Sequence, residues 1–227
     1  MDLQHITGLT VEATKKAGKF LFNERANFSM SRVQEKGEHN FVSYVDRTSE
    51  HMLVETLSEI LPQAGFIAEE GTGTPKRGGL NWVIDPLDGT TNYIHGLAPY
   101  AVSVALIDGD DLLVGVVYEP TLDECFWANA DSKAYLNDSI IGVSEVLSVN
   151  DALVATGFPY FDYSRMDAFF KSLDYFMRNS HGLRRLGSAA TDLVYVACGR
   201  FDAFYEYGLN PWDVAAGALI VQRAGGK

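Results

Sequence analysis

Three strand-like segments follow one another in the middle of the chain, and the connections between them are short. The segments cover residues 100–107, 112–119 and 123–128 and are rich in β-branched and aromatic residues. Gly109-Asp110 and Pro120 lie at the two connections. Connections this short cannot hold a crossover helix, so they favour hairpins. The centre of the chain is therefore predicted to form an antiparallel sheet.

Helical patterns precede this region, and helices alternate with strands after about residue 146. The patterns predict helices over 3–25, 46–61, 166–177, 188–198 and 211–224, and further strands over 65–68, 81–84, 153–156, 182–186 and 201–205. Such alternation is typical of layered α/β structure. We expect two packed lobes, residues 1–146 and 147–227, within what is best described as one continuous domain.

Composition excludes several classes of protein. The 227 residues include 18 Lys and Arg against 30 Asp and Glu, so the net charge is −12, which disfavours a nucleic-acid backbone as the main partner. Cys125 and Cys198 lie alone without CxxC spacing, so neither a disulfide framework nor a structural zinc site is expected. No stretch reaches the roughly 20 apolar residues that a membrane span needs, and the polar, acidic start is unlike a secretory signal. A cytoplasmic protein without a membrane partner is predicted.

Residues 82–92, with the sequence WVIDPLDGTTN, form the most informative motif. A hydrophobic strand ends at Asp85, and Asp88 follows three residues later, so one turn can direct both carboxylates to one place. Gly89 lets the backbone approach a ligand, and the two threonines would open a helical turn that favours an anion. Carboxylates beside such a turn are consistent with hard cations between them. An Asp-Pro-x-Asp-Gly run is also a common surface turn, and only the preceding strand and the threonines favour a site.

Four further carboxylates are candidates for the same site: Asp46, Glu70, Glu206 and Asp213. Asp46 and Asp213 could each simply stabilise the start of the helix in which they lie. Glu206 could be a charge on an edge strand. Glu69 is interpreted as a solvated turn residue, and Glu70 becomes a candidate only if the fold brings it near Asp85.

These residues together resemble the inositol monophosphatase family, which comprises magnesium-dependent, lithium-sensitive phosphatases related to fructose-1,6-bisphosphatase. The resemblance follows the chain in order and includes Gly187-Ser188-Ala189-Ala190 and Tyr205-Glu206. The DPLDGTTN run and the distant Trp212-Asp213 are specific as a pair. The resemblance implies an α/β fold layered as an αβαβα sandwich, a small phosphorylated substrate, two or three Mg²⁺ ions per site and a homodimer.

The resemblance also implies the ligands of the metal ions. Glu70, Asp85 and the backbone carbonyl of Leu87 would bind one magnesium ion. Asp85, Asp88 and Asp213 would bind a second.

Further roles implied by the resemblance concern the phosphate, the water and the alcohol. The amides of Gly89 and Thr90 would hold the phosphate, and Lys36 would lie near it. Asp46 and Thr90, helped by Glu70, would orient the attacking water. The alcohol side of the substrate would meet Asp88, Ala189, Glu206 and Asp213.

The predicted function is Mg²⁺-dependent hydrolysis of a phosphate monoester, inositol monophosphate first among the candidates, by in-line attack of a metal-activated water. No serine or cysteine nucleophile with a partner base is evident, so no covalent phospho-enzyme is expected. Fructose 1,6-bisphosphate, histidinol phosphate and 3′-phosphoadenosine 5′-phosphate stay open as substrates, and Arg184-Arg185 could receive a second phosphate. A non-catalytic binding role in transcription or RNA processing, as in some bacterial relatives, is the alternative of another class. The family normally continues beyond the position of Lys227, so its core is either shorter here or extends past this sequence.

Overall fold

The computed structural model describes residues 1–28, 34–37, 40–160 and 162–227, and for 34–37 and 40–42 it describes the backbone only. The helices in these ranges are α1 (Leu3–Arg25), α2 (Tyr44–Ile60), α3 (Thr90–His95), α4 (Met166–Asn179), α5 (Ala189–Ala197) and α6 (Pro211–Arg223). The strands are β1 (Gln34–Gly37), β2 (Asn40–Val42), β3 (Gly65–Ala68), β4 (Leu80–Asp88), β5 (Ala101–Asp108), β6 (Asp111–Glu119), β7 (Glu124–Asn129), β8 (Tyr135–Leu136), β9 (Ser139–Ile140), β10 (Leu153–Thr156), β11 (Gly182–Arg184) and β12 (Ala203–Tyr205).

Two main sheets organise the chain. The larger has seven strands in the order β3-β4-β5-β6-β7-β8-β9, and only its β3–β4 pair is parallel. The predicted antiparallel centre is therefore confirmed. The smaller sheet is parallel, with the order β11-β10-β12. A separate hairpin joins β1 to β2.

The central strands of the large sheet are buried on both faces, and their successive side chains enter two different cores. Trp82 and Ile84 pack into a core with α1 and α2, whereas Val83 packs into a second core with α5 and α6. The small sheet lies between α5 and α4. Helices, large sheet, helices, small sheet and helix thus follow one another as layers, which confirms the αβαβα expectation.

Helix α6 approaches the large sheet closely because a row of small residues faces it. Ala105, Gly115 and Ala128 are direct cross-strand neighbours in β5, β6 and β7, and all three lie on the α6 side. A Cβ added to Gly115 would lie 2.7 Å from the carbonyl oxygen of Ala216 in α6. This close contact sets the position of the helix that carries Asp213 at its start.

The boundaries of the predicted elements agree with the structure to within about two residues, except for the strand over 81–84. The predicted helix over 3–25 and the strands over 65–68 and 153–156 are confirmed to the residue. The strand predicted over 81–84 is longer in the structure, and β1, β2, β8 and β9 were not expected. The division at residue 146 stays a prediction. Helix α6, from the second part, packs on the large sheet of the first.

Two absences can be stated for the described part of the chain. No helix there has the length and apolar character that crossing a bilayer requires. Cys125 and Cys198 are both free, and Cys125 is buried in the core beneath α1 and α2.

We predict opposite effects for two glycine-to-alanine substitutions. Gly115→Ala should lower the free energy of unfolding by about 1–3 kcal/mol, because overpacking against the α6 backbone cannot be relieved by a rotamer change. Gly8→Ala is the control: nothing lies within 4 Å of its added Cβ, and alanine should stabilise the exposed helix position by about 0.5–1 kcal/mol. Urea unfolding at one pH measures both. A neutral Gly115→Ala would contradict the close packing of α6.

Candidate functional site

A cavity of about 600 Å³ opens where the end of β4 meets the starts of α3, α5 and α6 and the end of β12. Its wall is rich in carboxylates. The acidic residues that line it are Glu69, Asp85, Asp88, Asp162, Glu206 and Asp213. A cavity with this many acids suits a cation or a partner carrying hydrogen-bond donors.

An irregularity in β4 brings Asp85 and Asp88 to the same face of the sheet. Asp85 pairs with Ser103 and Asp88 pairs with Ala101, so β4 has one residue more than β5 over this stretch. In a regular strand, residues three apart point to opposite faces. The extra residue restores a common direction, as in a β-bulge. Both carboxylates thus share one direction as expected, although an irregular strand brings them together and not the predicted turn.

Asp85 is almost fully buried, and its Oδ1 accepts a hydrogen bond from the Leu87 amide at 2.9 Å. Burial raises the pKa of Asp85 well above its ordinary value, and repulsion from Glu69, Asp88 and Asp213 raises it further. The carboxylates therefore lie close enough to disfavour one another's ionisation. A divalent cation among them would remove that repulsion, so the donor set fits such an ion.

Asp88 connects β4 to the start of α5. Its Oδ2 accepts hydrogen bonds from the Ser188 hydroxyl at 2.5 Å and the Ala190 amide at 2.7 Å. Burial raises the pKa of Asp88 to about 7, although the Ser188 hydrogen bond acts to lower it. Ala189, between these two donors, also lines the cavity.

Asp213 lies in the first turn of α6, where its Oδ2 accepts a hydrogen bond from the Asn210 amide at 2.6 Å. Burial raises its pKa. Asp213 thus stabilises the start of the helix, as the sequence suggested, and the same side chain lines the cavity. Asp213 therefore both stabilises the start of α6 and belongs to the candidate site.

Glu69, not Glu70, lies on the cavity. The amide of Glu69 donates to the Ile84 carbonyl at 3.2 Å, so Glu69 extends β3 by one residue beside Asp85. Alternation then places the Glu69 side chain on the Asp85 face and the next side chain on the other face. Glu70 is not among the described residues that line the cavity. The structure therefore favours Glu69 for the role predicted for Glu70.

Asp46 and Thr90 meet behind the cavity. The Thr90 hydroxyl has the Leu87 carbonyl at 2.9 Å and Asp46 Oδ1 at 3.3 Å as acceptors. The other Asp46 oxygen accepts from the amide and hydroxyl of Ser43 at 2.8 and 2.6 Å. Burial raises the pKa of Asp46. Thr90 lines the cavity, with Asp46 next to it on the protein side.

The opposite wall holds Glu206 against the backbone. The carboxyl group of Glu206 occupies the space that a Cβ on Gly157 would need. Burial raises the pKa of Glu206 to about 7. Arg185 also lines this wall, with its guanidinium 5.3 Å from the ring of Phe158 and 5.5 Å from that of Tyr160. Of the adjacent arginines, only Arg185 reaches the cavity, and Arg184 is exposed.

The side chain of Lys36 lies outside the described residues. Within the described ranges, no group of three or more Asp, Glu, His or Cys side chains is already arranged to hold a metal ion. The carboxylates share a cavity without forming a complete coordination shell.

The family model described as "Inositol monophosphatase family" matches residues 2–227. The chain belongs to the inositol monophosphatase family. This family and the relatives that carry its name indicate a phosphatase, generally one that depends on magnesium.

The similar proteins carry two kinds of name. The putative Nus factor SuhB of Neisseria meningitidis serogroup B is 43% identical over 95% of this chain and 83% of its own length. The inositol-1-monophosphatase of Rhizobium meliloti is 38% identical over 97% of this chain and 84% of its own length. Among solved structures, inositol monophosphatase from Anabaena superposes with a TM-score of 0.89 at 35% identity, covering 100% of this chain and 84% of that one.

Asp192 is a buried carboxylate of this family member that the sequence analysis missed. It is 1% exposed on α5. Burial raises its pKa to about 8, and repulsion from Asp88 and Glu206 adds to this rise, whereas Arg185 opposes it. Its place within a helix pattern gave no signal, because an aspartate in a first turn is common.

We predict that Asp192 makes the metal-free protein less stable as pH rises. Because its folded pKa of about 8 lies above its ordinary value of 3.8, its contribution to stability is complete below pH 3.8 and is lost as pH rises through 8. The loss is at most about 1.4 kcal/mol per pH unit. Asp192→Asn should therefore gain stability relative to wild type between pH 5 and pH 8, measured by urea unfolding in EDTA. Exposed Asp167→Asn is the control, and a pH-independent offset for Asp192→Asn would contradict the assignment.

Proposed function

We propose that this protein is a Mg²⁺-dependent phosphate monoester hydrolase and that inositol monophosphate is its substrate. The observation that carries the proposal is that the carboxylates of Glu69, Asp85, Asp88 and Asp213 line one cavity at the start of α3. Glu69 directly follows β3, Asp85 and Asp88 belong to β4, and Asp213 lies in the first turn of α6, so three elements bring the four carboxylates together.

The proposed metal ligands follow from this arrangement. Glu69, Asp85 and the Leu87 carbonyl would hold one ion, and Asp85, Asp88 and Asp213 would hold another. When bound, Mg²⁺ supplies neutralisation of phosphoryl charge and lowers the pKa of a coordinated water. Burial raises the pKa of Asp85, and repulsion from Glu69, Asp88 and Asp213 raises it further. That repulsion supports this assignment, since a cation among the carboxylates would remove it.

The chain's own groups would orient the phosphate and the water. Gly89 has φ +88°, a conformation that favours glycine, and it lines the cavity together with Thr90 at the start of α3. The first N–H groups of a helix have no acceptor within it, so the amides of Gly89 and Thr90 suit phosphate oxygens. The Thr90 hydroxyl and Asp46, 3.3 Å apart, would orient the attacking water.

A polyhydroxylated alcohol fits the remaining wall. Glu206 and Asp88 present carboxylate oxygens, which accept hydrogen bonds from hydroxyl groups. Ala189 beside them leaves space, and Asp213 lies on the same cavity. Arg185 and Arg165 both line the cavity, so a bisphosphate such as fructose 1,6-bisphosphate would place its second phosphate beside these cations.

We expect adjacent glutamates to differ sharply. Glu69→Gln should lower Mg²⁺-dependent phosphate release from inositol 1-phosphate by more than about 100-fold, because loss of a mere partner of a metal ligand already costs about 10- to 100-fold. Glu70→Gln is the matched control and should keep most of the activity. Initial rates across a Mg²⁺ series measure both. If Glu70→Gln is the inactive one, the metal ligands are assigned wrongly.

Substrate choice requires a panel at fixed Mg²⁺. Inositol 1-phosphate, fructose 1,6-bisphosphate, histidinol phosphate and 3′-phosphoadenosine 5′-phosphate separate the catalytic alternatives. The proposal requires inositol 1-phosphate to give the highest kcat/KM.

A second candidate function is a binding role in transcription or RNA processing. The observation that favours it is the name "Nus factor SuhB" carried by a relative from Pseudomonas aeruginosa that is 39% identical to this chain. Asp88→Asn separates the two functions in a strain lacking its own copy: a binding role survives the loss of turnover, and a catalytic role does not.

The family supports four further proposals. They are two or three Mg²⁺ ions per site, inhibition by millimolar Li⁺, a homodimer and a cytoplasmic location. Each of these properties is proposed because this chain belongs to the family.

A further inference from the structure

The face of α2 that packs against the site carries three buried polar side chains. Asp46, Ser49 and Glu50 follow one another at intervals of three and one residues, so they share a face of the helix. Each is at most 1% exposed. Asp46 contacts Thr90, and the Ser49 hydroxyl donates to the Pro86 carbonyl at 3.0 Å. This face therefore contacts both ends of the segment from Asp85 to Thr90.

Glu50 uses both carboxylate oxygens on a single turn of the backbone. Oε2 accepts from the Glu70 amide at 2.8 Å, and Oε1 accepts from the Thr72 amide at 2.8 Å. The residue is 0% exposed. A buried carboxylate is costly unless hydrogen bonds satisfy it, and here backbone donors do so. That turn begins immediately after Glu69.

Glu69 is consequently held from both sides. On one side its own amide donates to the Ile84 carbonyl at 3.2 Å, which continues the β3–β4 ladder. On the other side the next amide, that of Glu70, is held by Glu50. With the backbone fixed at two successive peptides, the Glu69 side chain has little freedom to leave the Asp85 face.

We propose that Glu50 is a positioning residue that directs Glu69 into the cavity and thereby sets the affinity of the site for divalent cations. The proposal rests on the proposed function, since it takes Glu69 to be a metal ligand. Glu50 itself touches neither cavity nor substrate. A glutamine cannot replace it, because the amide group would present a donor to one of the two backbone donors.

The test is direct Mn²⁺ binding to the full chain without substrate, followed by electron paramagnetic resonance. Glu50→Gln should weaken Mn²⁺ binding by about 10- to 100-fold. Glu50→Asp should also weaken it, because the shorter side chain keeps the charge but cannot reach both amides. Glu55→Gln, which removes an exposed charge from the same helix, should bind like wild type. Wild-type affinity in Glu50→Gln or in Glu50→Asp would overturn the proposal.

Glu69→Gln distinguishes failure of this proposal from failure of the proposed function. Wild-type binding by Glu69→Gln would mean that Glu69 is no ligand, and both would fall. Weak binding by Glu69→Gln beside normal binding by Glu50→Gln would overturn the role of Glu50 alone.

Amide hydrogen exchange of the wild-type protein tests the same contact without any variant. The amides of Glu70 and Thr72 should exchange much more slowly than the amide of Gly73, an exposed residue of the same loop. Equally fast exchange at all of them would overturn the proposal even if the Glu50 variants fail to fold.

Discussion

The extra residue in β4 between Asp85 and Asp88 is the constraint on which the rest of the site depends. A regular strand would bury one carboxylate against α1 and α2 and direct the other to the cavity. The bulge instead turns both to the face where α5 and α6 begin. Those helices then supply partners: the start of α5 binds Asp88, and the start of α6 brings Asp213. A local irregularity of one residue thus decides which layer of the fold carries the chemistry.

The carboxylates that line the cavity reduce the stability of the fold. Burial and mutual repulsion raise the pKa of Asp85 well above its ordinary value, and burial raises those of Asp88 and Glu206 to about 7. Such groups stabilise the fold poorly when no cation is present, since their ionised forms repel one another. The close packing of small residues between β6 and α6 and the buried cores on both sides of the sheet offset that cost. The gathered carboxylates are tolerated because they lie between layers that are already held together.

The fold was predictable where periodicity was strong, and the site where residues were close in sequence. The helix over 3–25 has one apolar face, and Asp85 and Asp88 belong to one short motif. The choice between Glu69 and Glu70 could not be made from the sequence pattern. Apolar residues of β3 pack on both faces of the sheet, so no alternation of polar and apolar residues marks the cavity side. Only the parallel register with β4, a long-range contact, shows that Glu69 faces Asp85. The partners of Glu50 could not be predicted either, because they are also long-range contacts, 20 and 22 residues away in sequence.

Most candidate site residues also hold an element of the fold in place. Asp46 caps α2, Asp213 caps α6, and Asp88 accepts hydrogen bonds at the start of α5. A carboxylate needed for capping would be kept even in a chain that had lost turnover, so the presence of these residues does not by itself separate a phosphatase from a binding protein. Asparagine in their place keeps an oxygen acceptor and part of the cap while removing the negative charge. Comparing aspartate with asparagine at these positions therefore isolates the chemistry of the carboxylate from its structural use.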